Sequence, residues 1–451
     1  MRLWFESALL PEGWRKDVRI DVANGLIAAV MFGVQPEPGD DRHGPAMPGL
    51  PNLHSHAFQR GMAGLAEVSG RSEDSFWTWR ETMYRFVAAL DPDTLQAIAA
   101  LAYIEMLESG FTRVGEFHYL HHGPDGRAYD DRAAMAAAIA AAAQESGIAL
   151  TLLPVFYAHA DFGGTPPRTT QARFVNDLDG FARLIDDSRH ALAGLDQAVI
   201  GVAPHSLRAV TAAELAVVTT LLPDAPIHIH IAEQTREVEA CMAWSGQRPV
   251  EWLFDRAEVD RRWCLVHATH VVEAELRQIA ASEAVVGLCP ITEANLGDGL
   301  FPARAFQAQG GRFGVGSDSN VRIDAGEELR LLEYGQRLTH EMRNVLSNGP
   351  GRSTGATLWS MAFQGGARAL GASGAGLAVG APADLVSFLP SHPASVGRHG
   401  DQLIDSWVFG GARDHIDSVW RAGRKCVSGG RHHDRERITA RYVDVMKGLL
   451  A

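Results

Sequence analysis

Eight short apolar runs alternate with helix-patterned stretches through the middle of this chain, at residues 46–53, 113–117, 149–156, 199–203, 227–231, 263–267, 285–289 and 312–316. Strands separated by whole helices cannot pair as hairpins; they pair in parallel, with the helices as crossovers. Eight such strands are the number that closes into an α/β barrel of the (β/α)8, TIM-like kind. The helices carry their own punctuation. Asp91-Pro92 opens one that Gly110 closes, Thr211 and Glu214 form a capping box on another, and the Ala-rich stretch 133–143 reads as a crossover helix of strong helix formers.

The two ends of the chain have a different texture. Residues 18–22 and 26–30 alternate around Gly25 in hairpin fashion, and strand-like stretches return at 377–386, 405–409 and 417–427. Paired together, these ends predict a small β-sandwich domain from residues 1–46 plus 371–430, beside a barrel over 47–370 and a C-terminal helix over 431–451. A chain of 451 residues, 46% hydrophobic and 21% charged, is long enough for that arrangement.

Charge and cysteine content narrow the function. With 41 basic against 54 acidic residues, the formal net charge of -13 and the absence of a dense basic run argue against nucleic acid or an anionic membrane as partner. A small molecule remains, and an anionic one would need locally placed arginines to hold it against the field of the whole chain. Cys241, Cys264, Cys289 and Cys426 form no CxxC pair and read as structural thiols in a reducing compartment. The N-terminal residues lack an apolar leader and the apolar run 149–160 is too short to span a bilayer, so a cytoplasmic protein is expected.

Polar residues end nearly every predicted strand: His54-Ser-His56, Glu116-Phe-His118-Tyr119, His205, His230 with Glu233, His267, and Asp318. In a barrel those positions share one mouth, where active sites of this fold lie. Strand side chains alternate with a period of two, so His54 and His56 face the same side and one metal ion can take both. An HxH pair alone is weak, since 19 histidines in 451 residues give about one by chance, and His228-Ile-His230 is a second. HxH, HxxE, a later His and Gly-Ser-Asp ending different strands in order make the stronger signal.

Pro48-Gly-Leu-Pro-Asn52-Leu-His54-Ser-His56, His230-Ile-Ala-Glu233, Val266-His267 and Gly316-Ser-Asp318 resemble the amidohydrolase superfamily, and more narrowly its deaminase branch. The resemblance implies one zinc ion held by His54, His56, His230 and Asp318. No lysine follows the fourth strand, where the run is Gly201-Val-Ala-Pro-His205-Ser-Leu-Arg208, so a second metal bridged by a carboxylated lysine is not expected. Three neutral imidazoles and a carboxylate leave an open position for a water that ionises near neutral pH, although such a set also accepts iron or manganese. Glu233, three residues after a ligand, is placed to take a proton from that water or give one to a leaving nitrogen; its plainer reading is an ion pair with Arg236. His267 reads either as a further ligand or, by the resemblance, as a hydrogen-bonding catalytic residue. Asp318 would bind metal and share the proton, and which of Glu233, His267 and Asp318 takes it first is left open.

A closer resemblance, over nearly the whole chain, is to the formimidoylglutamate deiminase family of histidine degradation. It is carried by Asn52-Leu-His-Ser-His-Ala-Phe-Gln59-Arg-Gly-Met-Ala-Gly64, Phe76-Trp-Thr-Trp-Arg80, Glu116-Phe-His-Tyr119-Leu-His-His and Cys289-Pro-Ile-Thr-Glu293-Ala-Asn-Leu-Gly-Asp-Gly-Leu-Phe301. The implied reaction is N-formimino-L-glutamate plus water giving N-formyl-L-glutamate plus ammonia. Two carboxylates and a cationic formimino group need guanidinium forks at one end and an acceptor at the other. Arg80 and Arg208 are the candidate carboxylate binders, with Tyr119 and His205 as further donors and Gln59 and Glu233 facing the formimino nitrogens. Arg80 also reads as a surface ion pair with Glu81, and Trp77 and Trp79 read as core residues outside the site. A homodimer is expected by the same resemblance. Two rival readings stand: an aminopurine, pyrimidine or adenosyl-type deaminase with the same metal site and an aromatic pocket, and a catalytically silent barrel that binds without reacting, which would usually lack the metal ligands kept here.

Overall fold

The computed structural model describes residues 1–68, 76–411 and 413–451. Eight interior strands run in the predicted order: β1 (Leu50–Ser55), β2 (Phe111–His118), β3 (Ala149–Phe156), a split β4 (Val199–Ile200 and Ala203–Pro204), β5 (Ile227–Ile231), β6 (Trp263–His267), β7 (Val285–Leu288) and β8 (Arg312–Val315). β1 to β4 form one parallel arc and β5 to β8 another. Isolated parallel bridges join the arcs at both edges, Val202 to Ile227 and Ser206 to His230 at one and Ser55 to Asp318 at the other. β1, β2 and β3 are buried at every residue, which is why they read as continuous apolar runs rather than alternating ones.

The helices begin where their caps predict. Asp91 accepts the Thr94 amide at 2.8 Å ahead of the helix Pro92–Glu108, and the chain leaves it through Gly110 at φ +100. Thr211 and Glu214 exchange capping bonds at the start of Ala212–Val218, and the Ala-rich stretch forms Ala134–Ser146. The first apolar run, expected as one strand over 46–53, divides at Gly49. Ala46–Pro48 pairs antiparallel with Leu385–Phe388 outside the barrel, and β1 starts at Leu50. A side chain at Gly49 would run into that of Thr112, so the crossing point admits no Cβ.

The chain ends meet in a nine-stranded sheet that includes Arg2–Leu10, Gly13–Ala23, Leu26–Met31, Ile416–Arg421 and Arg424–Ser428. Its two halves join through the single parallel pair Ala8 and Ala46 and share a core of their own, with Leu3, Phe5, Val18, Ile20 and Trp420 fully buried. Phe5 and Trp420 meet edge to face across it at 5.9 Å. Residues 405–409, read as a strand from their aromatic and β-branched content, lie instead in the helix Asp401–Gly410. Leu403, Ile404, Trp407 and Val408 are its buried face, at helical spacing. The strand expected over 377–386 shortens to Leu385–Phe388. The C-terminal helix Arg435–Leu450 docks through Arg435 on Glu108 at 2.7 Å. All four cysteines are free and buried, and among the described residues no helix is long and apolar enough to cross a membrane.

Candidate metal centre and its pocket

The ends of β1, β5 and β8 bring four donor atoms together. His54 Nε2 lies 3.2 Å from His56 Nε2 and 3.0 Å from His230 Nε2, and Asp318 Oδ1 lies 3.3 Å from His56 Nε2 and 3.5 Å from His54 Nε2. Four donors each about 2.0–2.1 Å from a tetrahedral ion stand roughly 3.3 Å apart, so this set fits one metal ion. The ring nitrogens behind two of them are engaged, while that of His54 is buried without a partner: His56 Nδ1 faces the Phe117 carbonyl at 3.0 Å and His230 Nδ1 the His205 carbonyl at 3.1 Å. Each therefore carries its proton on Nδ1 and presents an unprotonated Nε2. Burial keeps the rings neutral, pushing His54 down to about 3 and lowering His56 and His230. Burial works the other way on Asp318, but His54, His267 and His56 outweigh it and hold the carboxyl well below the usual range. A neutral, deprotonated imidazole set beside an ionised carboxylate is the form that binds metal.

A buried polar zipper sets β1 against β8. Asn52 Nδ2 donates to Ser317 Oγ at 2.6 Å and the Ser317 amide donates to Asn52 Oδ1 at 3.0 Å. Ser317 Oγ donates to Asn320 Oδ1 at 2.6 Å, and Asn320 Nδ2 donates to Ser55 Oγ at 3.1 Å and to the His56 carbonyl at 3.0 Å. Asp318 and His267 both sit in the left-handed region, at φ +45 and φ +67. Such backbone strain collects where a side chain must be aimed against the run of its strand.

One pocket opens over this centre, and its lining holds every candidate binding residue: Gln59, Arg80, Tyr119, His205 and Arg208, with Glu233, His267 and Asp318 at the floor. Among the described residues neither Arg80 nor Arg208 is paired with a carboxylate, and the Nε of each is buried without a partner. The surface pair of Arg80 with Glu81 does not form; Arg80 stacks instead over Trp77 at 4.5 Å and Tyr84 at 5.7 Å. Nor does Arg236 pair with Glu233, since Arg236 also lies over Trp77, at 4.8 Å. Gln59 Nε2 donates to Tyr119 Oη at 3.1 Å, which leaves its Oε1 buried with no donor. His205 is held neutral, by burial first and then by Arg208. Burial pushes Glu233 up to about 7, with Asp318 and Glu237 adding and His267 opposing. Glu233 Oε1 and Asp318 Oδ2 each stand 3.8 Å from His267 Nε2. Burial also works against the charged His267 ring, but Glu233, Glu293 and Asp318 raise it well above the ordinary histidine range.

Several lining residues escaped the sequence reading. Phe76, Trp79, Met83 and Tyr84 join Arg80 in the wall. All lie on the helix Phe76–Val87 at spacings of three and four, so helical periodicity was the signal that marked them. Trp79 thus lines the pocket as well as packing against the core, and Trp77 carries three guanidinium groups on its ring, those of Arg80, Arg208 and Arg236. Tyr157 and Phe174 complete an aromatic side, and nothing local in the sequence pointed to Phe174. The second HxH is structural on its first member: His228 Nε2 faces the Ala369 carbonyl at 2.7 Å, away from the centre.

The Amidohydrolase family profile matches residues 46–426, and the profile of the formimidoylglutamate deiminase HutF N-terminal domain matches residues 3–44. The chain is 49% identical to formimidoylglutamate deiminase of Pseudomonas aeruginosa over 99% of each chain. It is 29% identical to 8-oxoguanine deaminase of the same organism, over 90% of this chain and 87% of that one. Among solved structures, an amidohydrolase from Brucella melitensis superimposes with a TM-score of 0.97 at 53% identity, covering 100% of both chains. An adenosine deaminase from Xanthomonas campestris with bound zinc gives 0.82 at 23% identity, over 100% of this chain and 98% of that one, a likeness of fold alone. By these matches and by the four converging metal donors, the chain belongs to the amidohydrolase family and is a homologue of formimidoylglutamate deiminase.

Proposed function

We propose that this protein hydrolyses N-formimino-L-glutamate to N-formyl-L-glutamate and ammonia, with His54, His56, His230 and Asp318 holding one zinc ion. The observation that carries the substrate is the pair Arg80 and Arg208: two guanidinium groups in one pocket that form no ion pair with a carboxylate among the described residues, in a chain of net charge -13. A buried unpaired cation is costly unless a ligand supplies the anion, and a dicarboxylate supplies two. The imidazole-rich donor set and the zinc bound by a structural neighbour support zinc over other divalent ions. Four free, buried thiols suit the reducing cytoplasm.

When bound, the metal acidifies a water molecule and polarises the reacting centre. Arg208 and Arg80 anchor the carboxylates, with Tyr119 and His205 as neutral donors beside them. The free Gln59 Oε1 accepts from a formimino N–H and fixes the amidine plane. Glu233, with a proton affinity close to neutral pH, takes a proton from the attacking water and passes it to the departing nitrogen. His267, between Glu233 and Asp318, donates to the oxygen at the tetrahedral carbon. Water adds across the C=N bond, the terminal C–N bond breaks, ammonia leaves and the formyl C=O forms.

The aromatic side made by Phe76, Trp79, Tyr84, Tyr157 and Phe174 favours the second reading, a heterocycle deaminase. Aromatic walls also stack guanidinium and formamidinium planes, and a neutral heterocycle would leave both arginines unanswered. Ammonia release from N-formimino-L-glutamate, 8-oxoguanine and 5'-methylthioadenosine separates the two. Turnover confined to the dicarboxylate and lost in Arg208→Met is expected; turnover of a heterocycle with none of the dicarboxylate would overturn the substrate.

A further inference from the structure

Behind His267, outside the pocket lining, a carboxylate is pinned at two points. Glu293 belongs to the short helix Pro290–Leu296 that follows β7. Its amide donates to the Cys289 carbonyl at 2.8 Å, while its own Oε1 accepts the Cys289 amide at 2.9 Å, closing a ring between side chain and backbone. The same Oε1 faces His267 Nδ1 at 3.2 Å. Glu293 and His267 are both buried, so neither group is held by solvent.

The identity of the proton between them follows from the contacts. Oε1 already receives a backbone N–H, so it acts as an acceptor, and a ring nitrogen at hydrogen-bond distance from it must be the donor. The ring then carries a proton on Nδ1, and Nε2 is the atom turned towards Glu233 and Asp318, 3.8 Å from each. Orientation needs this outside support. His267 leaves β6 in the left-handed conformation, at φ +67, so regular strand geometry does not aim its ring. A side chain that works by presenting one nitrogen loses its function when the ring angle is free.

We infer that Glu293 is a positioning residue for the proposed reaction: its carboxylate, clamped to the Cys289 amide, accepts the His267 Nδ1 proton, holds the ring angle and so directs Nε2 at the reacting centre. The inference rests on the proposed role of His267 at the metal centre. Its alternative is a carboxylate that only caps the helix Pro290–Leu296, which would affect folding and leave catalysis per folded molecule unchanged.

The test uses the metal-loaded full chain carrying 15N-histidine, with the His267 ring signals assigned by difference from His267→Gln. The wild type is expected to show a protonated Nδ1 on His267. In Glu293→Leu that proton signal is lost or averaged, and kcat falls about 100-fold while KM and metal content stay within about twofold. Glu293→Gln keeps an oxygen that can accept from both partners but carries no charge, and a loss in kcat of about 10-fold is expected. A folded, metal-replete Glu293→Leu with the Nδ1 proton and kcat intact overturns the inference. If that variant does not fold, Glu293→Gln decides, and kcat within about twofold of wild type then overturns it. The ring signals need no substrate, so an enzyme inert towards N-formimino-L-glutamate would defeat the proposed function while this reading of Glu293 is still decided by the spectra.

Discussion

Arg208 is nearly fully buried, has no carboxylate partner among the described residues, and keeps its Nε unbonded. A guanidinium left without a bonded partner in a pocket is placed for a ligand. Arg208→Met is therefore expected to leave the melting temperature within a few degrees while lowering kcat/KM about 100- to 1000-fold, as for the loss of a bidentate charge-assisted contact. Thermal melts and steady-state kinetics on one preparation check both halves. Glu116, beside the strand end that carries His54 and His56, offers a prediction on stability. It accepts the Ala57 amide at 2.7 Å and the Tyr103 hydroxyl at 3.1 Å, and burial pushes it up to about 8. Its folded-state value lies above its unfolded one, so its contribution to stability is complete below about pH 4.5 and is lost as pH rises towards 8. The expected slope is about -1.4 kcal/mol per pH unit in that window. Glu116→Gln, neutral at every pH, should flatten it in denaturant titrations run from pH 5 to 8; an unchanged slope would assign the dependence to other groups.

Elements carry the next level of precision. The zipper of Asn52, Ser317 and Asn320 registers β1 against β8, and with them three of the four metal donors. Asn320→Ala frees the His56 carbonyl and Ser55 from their common donor and is expected to weaken metal binding about 10- to 100-fold with the ligands themselves untouched. Competition with a chromophoric chelator measures it. This scale also shows what the sequence could tell. HxH, HxxE, His267 and Asp318 were legible because each ends a buried strand, where a polar residue is conspicuous against an apolar run. Trp79 was not, because an aromatic residue in a helix reads as core until the helix face it shares with Arg80 and Met83 is laid out. Residues 405–409 read as strand because Trp407-Val-Phe has strand-like content, and the spacing of the helix Asp401–Gly410 depends on Leu403 and Ile404 before it. Gly49 hid the division of the first run, since the reason for the break is Thr112, a residue far along the chain.

At the scale of the whole molecule, the order of eight parallel strands was readable because each is short, apolar and separated by a capped helix. How the chain ends join into one sheet was not, since pairing such as Ala46–Pro48 with Leu385–Phe388 is set by long-range contact. The metal centre links the two arcs, with His54, His56 and Asp318 from one joint and His230 from the other. A ligand that binds only the folded form stabilises it, so chelation should lower the melting temperature by several degrees and one equivalent of zinc should restore it. A melting temperature indifferent to both would remove the metal from the account.

The measurement that tests the central claim most directly is product analysis by mass spectrometry after turnover of N-formimino-L-glutamate in water enriched in oxygen-18. The account predicts N-formyl-L-glutamate carrying one labelled oxygen in its formyl group, with one ammonia released per label. Formamide with free glutamate, unlabelled product, or no reaction by the metal-loaded protein would contradict it.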